Sequence, residues 1–374
     1  MKFAKFLVLQ IINFLFPSWL FKVKPNKIVV DSFRGNSYSG NPARIVDALL
    51  KYNDDLEIVW LAKEIDDEFP SDVRVVRYNS LKSFVELATA KIWIDDFRKK
   101  YFPRKKSSQV YFQVWHGVIP LKKIEKDTES NLDNIYVYEA KRDGKIIDYM
   151  ISGNEFTSNI YKNSFWQNGL VLEYGTPVMD QIITHTPKTD NPDKKIVLYC
   201  PTFRNEFVLE DYKLDVNKIV SKFEEKFGGE WQVGIRLHPN IAEHEKEVID
   251  YNGGKIVGYT NVKSFEEVLL KSDAIITDFS SVMFEAMYGS IPVFIYSNSF
   301  NNYIKNERSV YFKLEELPFS ISKNEEDLVK NIKEFDNKLY SERVQNFLCK
   351  IGNHETGKSS EKVAEFILEK MVDK

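Results

Sequence analysis

The chain has 374 residues, too many for one ordinary hydrophobic core and enough for two domains of similar size. Its 52 lysines and arginines stand against 55 aspartates and glutamates, a net charge of -3, so no global field favours wrapping a nucleic acid and any polyanion has to be met locally. The two cysteines, Cys200 and Cys349, give neither metal-ligand spacing nor a disulfide framework, which fits a reducing, cytoplasmic compartment.

The first residues differ in kind from the rest. Lys2, Lys5, Lys22, Lys24 and Lys27 all precede the first acid, Asp31. Between them Phe3 to Phe21 is rich in Phe, Leu, Ile and Trp, but Gln10, Asn13 and Pro17 interrupt it, and it falls short of the clean run of about twenty residues that a membrane span needs. No small-residue cleavage site follows. A basic-flanked apolar helix with Trp19 near its end is the pattern of a segment lying in the interface of an anionic membrane, and residues 1–25 are expected to be such an amphipathic segment. The alternative is a helix packed on the protein or on a second subunit.

Lys27 to Asp31 reads as a strand, and the loop Ser32 to Asn41 leads to Pro42, a favoured helix starter, with Ile45, Val46, Leu49 and Leu50 on one helix face. Gly35 and Gly40 in that loop do not make a dinucleotide fingerprint. Further strands are expected at Glu57 to Leu61, Val73 to Arg77, Lys91 to Ile94, Val110 to Trp115 and Tyr149 to Ser152, with helical stretches between most of them. The polar segment His185 to Lys195 carries two prolines and reads as a linker. The alternation then restarts, with strands at Ile196 to Cys200, Gln232 to Leu237, Lys255 to Val257, Ala274 to Thr277 and Val293 to Tyr296. The expected fold is therefore α/β, two Rossmann-like halves with parallel sheets, at 26–187 and 188–374.

Unusual polar residues cluster just past strand ends, where open α/β sheets bind ligands. Four junctions carry them: Trp115-His116-Gly117, Pro201-Thr202-Phe203-Arg204, Arg236-Leu237-His238-Pro239 and Asp278-Phe279-Ser280-Ser281. Singly each has an ordinary use: a structural histidine, a salt-bridged arginine, a proline starting a helix, or serines capping the helix marked by Met283, Phe284 and Met287. Together, two imidazoles, two guanidiniums and a serine pair at a helix start are what handling a diphosphate requires. Asp95-Asp96 also follows a strand, but it has no phosphate partner in its own half, so no metal and no cofactor is expected.

These residues resemble the CDP-glycerol glycerophosphotransferases that build teichoic acids and related capsular polymers. The resemblance runs from about Lys27 to the end of the chain. It is carried by Asp31-Ser-Phe-Arg-Gly with Tyr38-Ser39 and Asn41-Pro42, by Trp115-His-Gly with Pro120-Leu-Lys-Lys123, and by Tyr199-Cys-Pro-Thr-Phe-Arg204. Arg236-Leu-His-Pro239, Thr277-Asp-Phe-Ser-Ser-Val-Met-Phe284 and Glu355-Thr-Gly-Lys-Ser-Ser-Glu-Lys-Val363 complete it. Two departures stand out: Val118-Ile119 lengthens the loop after Trp-His-Gly, and Thr356-Gly357 stands where the family usually has Asp-Gly.

The resemblance implies a GT-B architecture, with two domains facing a cleft, the donor mainly in the C-terminal one, and the last helix able to pack back on the N-terminal one. It implies His116 as general base and His238 as stabiliser of the diphosphate. Arg204, Thr202, Arg236, Ser280, Ser281, Asp278 and Glu285 would serve the donor, and Arg34, Gly35, Tyr38, Ser39, Lys122 and Lys123 the acceptor side. The implied partners are CDP-glycerol or CDP-ribitol, an undecaprenyl-diphosphate-linked saccharide acceptor and the cytoplasmic face of the bacterial membrane, where the protein would be peripheral; a homo-oligomer is compatible with this. A sugar-nucleotide glycosyltransferase on the same fold is the main rival, and a non-catalytic membrane scaffold a weaker one.

Overall fold

The computed structural model describes residues 15–52, 55–64, 69–185, 194–203, 207–262, 264–296 and 309–372. The chain forms two compact units. The first takes the residues up to Gly117, Ile124–Asp180 and everything from His354 onward; the second takes Val118–Lys123 and Gln181–Asn353. The chain crosses between them at Gly117–Val118, Lys123–Ile124, Asp180–Gln181 and Asn353–His354; the third crossing falls before the polar segment expected as the linker, most of which (186–193) lies outside the described residues.

The first unit holds a seven-stranded parallel sheet of β1 (Lys24–Asp31), β2 (Glu57–Ala62), β3 (Val73–Arg77), β4 (Ala90–Asp95), β5 (Val110–Gln113), β6 (Tyr149–Ile151) and β7 (Leu170–Leu172), in the order β3-β2-β1-β4-β5-β6-β7. The second holds six parallel strands, β8 (Lys194–Cys200), β9 (Glu230–Ile235), β10 (Ile256–Gly258), β11 (Ala274–Thr277), β12 (Val293–Tyr296) and β13 (Ser320–Ser322), in the order β10-β9-β8-β11-β12-β13. Both orders are doubly wound, with the direction of winding reversing between β1 and β4 in one unit and between β8 and β11 in the other. Ligands of such sheets sit outside the strand C-termini at that reversal.

The central strands are buried on both faces, as parallel strands covered by helices have to be: β4 is buried at every position and β1 from Lys27 to Asp31. In the first unit Ile28, Ile45, Leu49, Trp60 and Ile92 share a core with Val363 and Ile367, so the C-terminal helix Ser359–Val372 returns to complete the N-terminal unit. The second core gathers Val197, Phe223, Trp231, Ile276, Phe294 and Leu328.

The apolar N-terminal stretch falls largely outside the described residues. Its end is described: Phe16 packs at 5.5 Å between ring centroids on Phe84 of the helix Leu81–Thr89, while Leu15, Trp19 and Leu20 are exposed. Among the described residues no helix is long and apolar enough to cross a membrane.

Candidate active site

In the first unit, Ser32, Asp96 and His116 follow the ends of β1, β4 and β5, three adjacent strands. The backbone leading to the histidine is unusual, because Trp115 has φ +48, a left-handed conformation that costs a bulky residue energy and persists only when its surroundings impose it. Asn41, buried at the start of the helix Gly40–Tyr52, imposes it: its Nδ2 donates to the carbonyls of Val114 (3.0 Å) and Trp115 (2.9 Å) and its Oδ1 accepts from Val178 N–H (2.9 Å). Gln113 Oε1 accepts from Trp115 N–H at 2.9 Å.

So held, His116 lays its ring on Phe97, centroids 4.0 Å apart and planes within 7°, and points Nδ1 at the Asp96 carbonyl oxygen, 2.8 Å away. A carbonyl oxygen only accepts, so Nδ1 carries the proton and Nε2 the lone pair. Desolvation by the surrounding protein pulls the imidazole pKa down to about 4, the Asp96 carbonyl opposing and the Arg34 guanidinium adding. The residue as a whole is exposed to solvent. His116 is thus a neutral base with an accessible acceptor nitrogen at pH 7.

Of the other residues expected on the acceptor side, Arg34 stands nearest the chemistry, its guanidinium 5.0 Å from the Phe97 ring that carries His116. Gly35 is needed by the backbone: at φ +77 its hydrogen faces Tyr78, where a Cβ would come within 2.9 Å. Tyr38 turns inward, its hydroxyl donating to Asp47 at 2.7 Å and its ring 4.5 Å from that of Trp60, so it packs and does not offer itself to a ligand. The Ser39 carbonyl accepts from the Ser32 hydroxyl.

Lys122 and Lys123 belong with the second unit. The longer loop places Lys122 in a β-bridge with Val310, and Lys123 N–H donates to the Ser309 carbonyl at 2.9 Å. Lys122 lies close enough to His238 to help lower its pKa.

In the second unit, His238 precedes Pro239 and caps the short turn Pro239–His244: its Nδ1 accepts from Asn240 N–H at 3.1 Å. Here the accepting nitrogen is Nδ1, so in the neutral ring the proton sits on Nε2. Desolvation, with Lys122 adding, holds its pKa below the ordinary value, and the residue is exposed. His238 therefore presents a donor where His116 presents an acceptor.

Arg236 is partly committed. Its Nη1 donates to the carbonyls of Tyr259 (2.7 Å) and Val262 (2.6 Å), fixing the loop after β10. Thr202 and Asp278 face one another across β8 and β11, with the threonine N–H (2.9 Å) and hydroxyl (2.8 Å) donating to the two carboxylate oxygens. Asp278 is buried. The pair shapes the strand-end loop, and Asp278 has little of its carboxylate left for a nucleotide. Arg204 lies outside the described residues.

Ser280 and Ser281 do not act as an N-cap. Ser281 already has helical angles (φ -64, ψ -14) and no side-chain cap bond, and Ser280 Oγ is 3.5 Å from Val282 N, at the limit of a hydrogen bond. Both are half-buried. The helix they open, Val282–Tyr288, is short, so hydroxyls carry more weight here than a helix dipole. Burial, with Glu266 adding, raises the Glu285 carboxyl on this helix to about 8, which leaves it able to donate as well as accept. Among the described residues no group of three or more His, Cys, Asp or Glu side chains is placed to hold a metal ion.

The motif Glu355 to Val363 proves to be a clasp within the first unit. Glu355 accepts from Thr176 N–H with both oxygens (3.0 and 2.9 Å), and Asp180 accepts from the N–H groups of Ser359 (2.8 Å) and Ser360 (2.7 Å).

Residues 13–369 match the CDP-Glycerol:Poly(glycerophosphate) glycerophosphotransferase family. The chain belongs to that family. It is 29% identical to a teichoic acid poly(glycerol phosphate) polymerase of Staphylococcus epidermidis, over 92% of this chain and 51% of the relative. It is 28% identical to a teichoic acid glycerol-phosphate transferase of Staphylococcus aureus, over 92% of this chain and 93% of the relative. The chain thus spans about half the length of the first and nearly all of the second. Among solved structures it resembles the wall teichoic acid polymerase TagF, with a TM-score of 0.80 and 27% identity over 93% of this chain and 90% of that one.

Proposed function

We propose that this chain transfers a polyol phosphate, glycerol phosphate foremost, from a CDP-polyol to a hydroxyl of a lipid-linked acceptor in teichoic acid or capsule synthesis, releasing CMP. The observation that carries the reading is the opposed proton placement on two histidines at strand ends: Nε2 of His116 accepts and Nε2 of His238 donates. The family and the TagF structure solved with CDPG support the donor. Ribitol phosphate is the rival cargo, since a teichoic acid ribitol-phosphate primase of Bacillus spizizenii is 28% identical over 94% of this chain.

In this reading the two units form a GT-B pair. The acceptor oxygen attacks the phosphorus bearing the polyol and gives its proton to His116 Nε2. The new P–O bond forms as the bond from that phosphorus to the bridging oxygen breaks, and CMP leaves with the electron pair. The charge on the departing phosphate meets His238 Nε2–H, with Arg236, Ser280 and Ser281 as further donors and Arg204, Thr202, Asp278 and Glu285 around them. Arg34, Gly35, Tyr38 and Ser39 shape the acceptor side, with Arg34 the member that faces the substrate, and Lys122 joins the donor side.

Exposed Leu15, Trp19 and Leu20, followed by Lys22 and Lys24, support an interfacial segment on the cytoplasmic face of an anionic membrane.

Incubating the protein with CDP-glycerol or CDP-ribitol and a lipid acceptor analogue, and following CMP and the new phosphodiester, tests the reaction. Release of a nucleoside diphosphate with a new glycoside would replace it by glycosyl transfer. Deleting residues 1–24 should release the protein from anionic vesicles; unchanged partitioning would mean that the segment only packs on the protein.

A further inference from the structure

Beneath His116 lies a carboxyl group whose proton can be counted. Ser32 Oγ is 2.9 Å from the Ser39 carbonyl oxygen and 2.8 Å from Asp96 Oδ2. A carbonyl has no hydrogen, so the single hydroxyl proton belongs to the first contact. The second joins two oxygens; unless Ser32 shares its one proton between both acceptors, this contact needs a proton of its own, which the carboxyl group of Asp96 can supply. Asp96 Oδ1 accepts from Phe33 N–H at 2.8 Å, as the carbonyl oxygen of a carboxylic acid does. The side chain is wholly buried.

We propose that Asp96 is a protonated, uncharged positioning residue: its carboxylic acid donates to Ser32 and accepts from Phe33, tying down the loop that carries Arg34, while its main-chain carbonyl orients His116. The next residue, Phe97, extends the device, since one ring lies under His116 and beside the Arg34 guanidinium. The loop needs the tether because Phe33, Arg34 and Gly35 are all left-handed, with φ of +46, +57 and +77.

The surroundings favour the neutral form. Burial raises the Asp96 carboxyl well above its ordinary range, with Asp95 and then Asp31 adding and the Phe33 and Ser32 contacts opposing. Lys99 is engaged elsewhere, 2.7 Å from Asp95 and 3.8 Å from Asp31, and Arg34 likewise acts on those two acids. Tyr78 brings no cation to the group. An uncharged Asp96 puts no negative charge beside the imidazole, which keeps His116 a weak, unprotonated base.

The inference rests on His116 being the base, and the test separates the two. An amide puts a donor where the acid has its O–H and an acceptor where it has its carbonyl oxygen, with one N–H more, so Asp96→Asn should fold and keep kcat and KM within about threefold, with the acid limb of kcat/KM unmoved. Asp96→Ala should lower kcat about tenfold or more as the loop loses its tether, with a smaller change in KM. Infrared difference spectra of the resting protein, wild type against Asp96→Asn, should show a carboxylic-acid carbonyl band from pH 6 to 9 that the variant lacks.

The proposal is overturned if that band is missing, if Asp96→Asn fails to fold or loses tenfold in rate, or if its acid limb moves to lower pH by on the order of one unit, as removal of a real negative charge would require. Those results would make Asp96 an ionised carboxylate sharing one Ser32 hydroxyl with Ser39. Turnover that survives in His116→Ala would instead remove the base and leave the infrared result standing on its own.

Discussion

Replacing His238 with asparagine separates the two jobs of one imidazole. In the native protein Nδ1 accepts from Asn240 N–H at 3.1 Å, and Nε2–H is free to meet charge on the donor. Asparagine is among the best helix-capping residues and its Oδ1 reaches roughly where Nδ1 sits, so the cap and the stability survive while the Nε2–H is lost. Losing one preorganised donor to developing charge costs about 10²–10³ in kcat, or about 2.7–4 kcal/mol of the barrier. Glutamine does the reverse. Its amide nitrogen reaches the place of Nε2 and should recover part of the rate, while loss of the cap costs about 0.5–1 kcal/mol, the low end because the residue is exposed. The assay is CMP release at saturating CDP-glycerol, paired with thermal melts. If His238→Asn keeps kcat within about threefold, or if glutamine is as slow as asparagine, His238 does not act through Nε2–H.

Asparagine at His116 should keep the donation to the Asp96 carbonyl through its own amide and lose the base, lowering kcat about a hundredfold or more with little change in melting temperature. In the wild type the acid limb of kcat/KM should lie below the ordinary imidazole value of 6.5, towards about 4; a limb at 6.5 or higher would refute the desolvated neutral base. The same shift has a stability consequence: the unfolded chain takes up this proton first, so stability falls as pH drops from 6.5 to about 4. Glu86→Gln, measured by chemical denaturation at pH 7, should cost about 3 kcal/mol, because it leaves Lys27 buried with only Glu57, 3.6 Å away, as counter-ion. Burial raises Glu86, but the Arg74 and Lys27 bonds more than offset this and hold it at about 2, so its contribution is present above pH 4.5 and fades as pH falls through 2. Gly153→Ala should destabilise by about 1–3 kcal/mol with kcat unchanged in the folded fraction, since a Cβ there would sit 1.8 Å from Glu355 Oε1; an unshifted melt would show that the clasp yields.

What the sequence made legible is what repeats or ends abruptly. The apolar runs Ile28–Val30 and Ile196–Cys200 are readable because the buried stretch of a parallel strand covered on both faces has to be largely apolar. Leu170–Leu172 and Ser320–Ser322 are not, being three-residue strands at sheet edges, too short for a pattern to show. His116 and His238 stood out because each closes such a run. Asn41 did not, because its partners lie more than seventy residues away along the chain and a buried amide leaves no local signature. The role of Asp96 could not be read from the pair Asp95-Asp96: alternate side chains after a strand face opposite ways, so Asp95 meets Lys99 and Asp96 meets the Ser32 loop, partners that the sequence does not reveal. Ser281 failed as a cap for a reason invisible in sequence, its helical backbone angles. Lys122 changed sides because the loop from Val118 to Lys123 pairs with Ser309 and Val310, residues that no local pattern connects to it.

The residue beside each histidine decides which of its nitrogens carries the proton. Proline after His238 restricts that residue to extended backbone, here φ -64 and ψ 143, which is the conformation of an N-cap and swings Nδ1 over the N–H of Asn240. Once Nδ1 accepts, the neutral ring has to donate from Nε2. Before His116 stands Trp115, forced left-handed by Asn41, and the reversal carries the imidazole back over Phe97 to the Asp96 carbonyl, where Nδ1 has to donate and Nε2 is left as the acceptor. Two chemically identical side chains thus become an acid-side and a base-side group, with no carboxylate among the described residues bonded to either ring. It follows that Asn41→Ala, which removes no group from the reaction, should lower kcat by freeing Trp115 to relax and the His116 ring to turn. The loss should be about tenfold or more, of the kind a misplacement of about 1 Å produces, with CDP-glycerol affinity unchanged. Normal kcat in a folded Asn41→Ala variant would show that the Trp115 backbone holds its strain unaided and that the histidine's orientation is set by Phe97 and Asp96 alone.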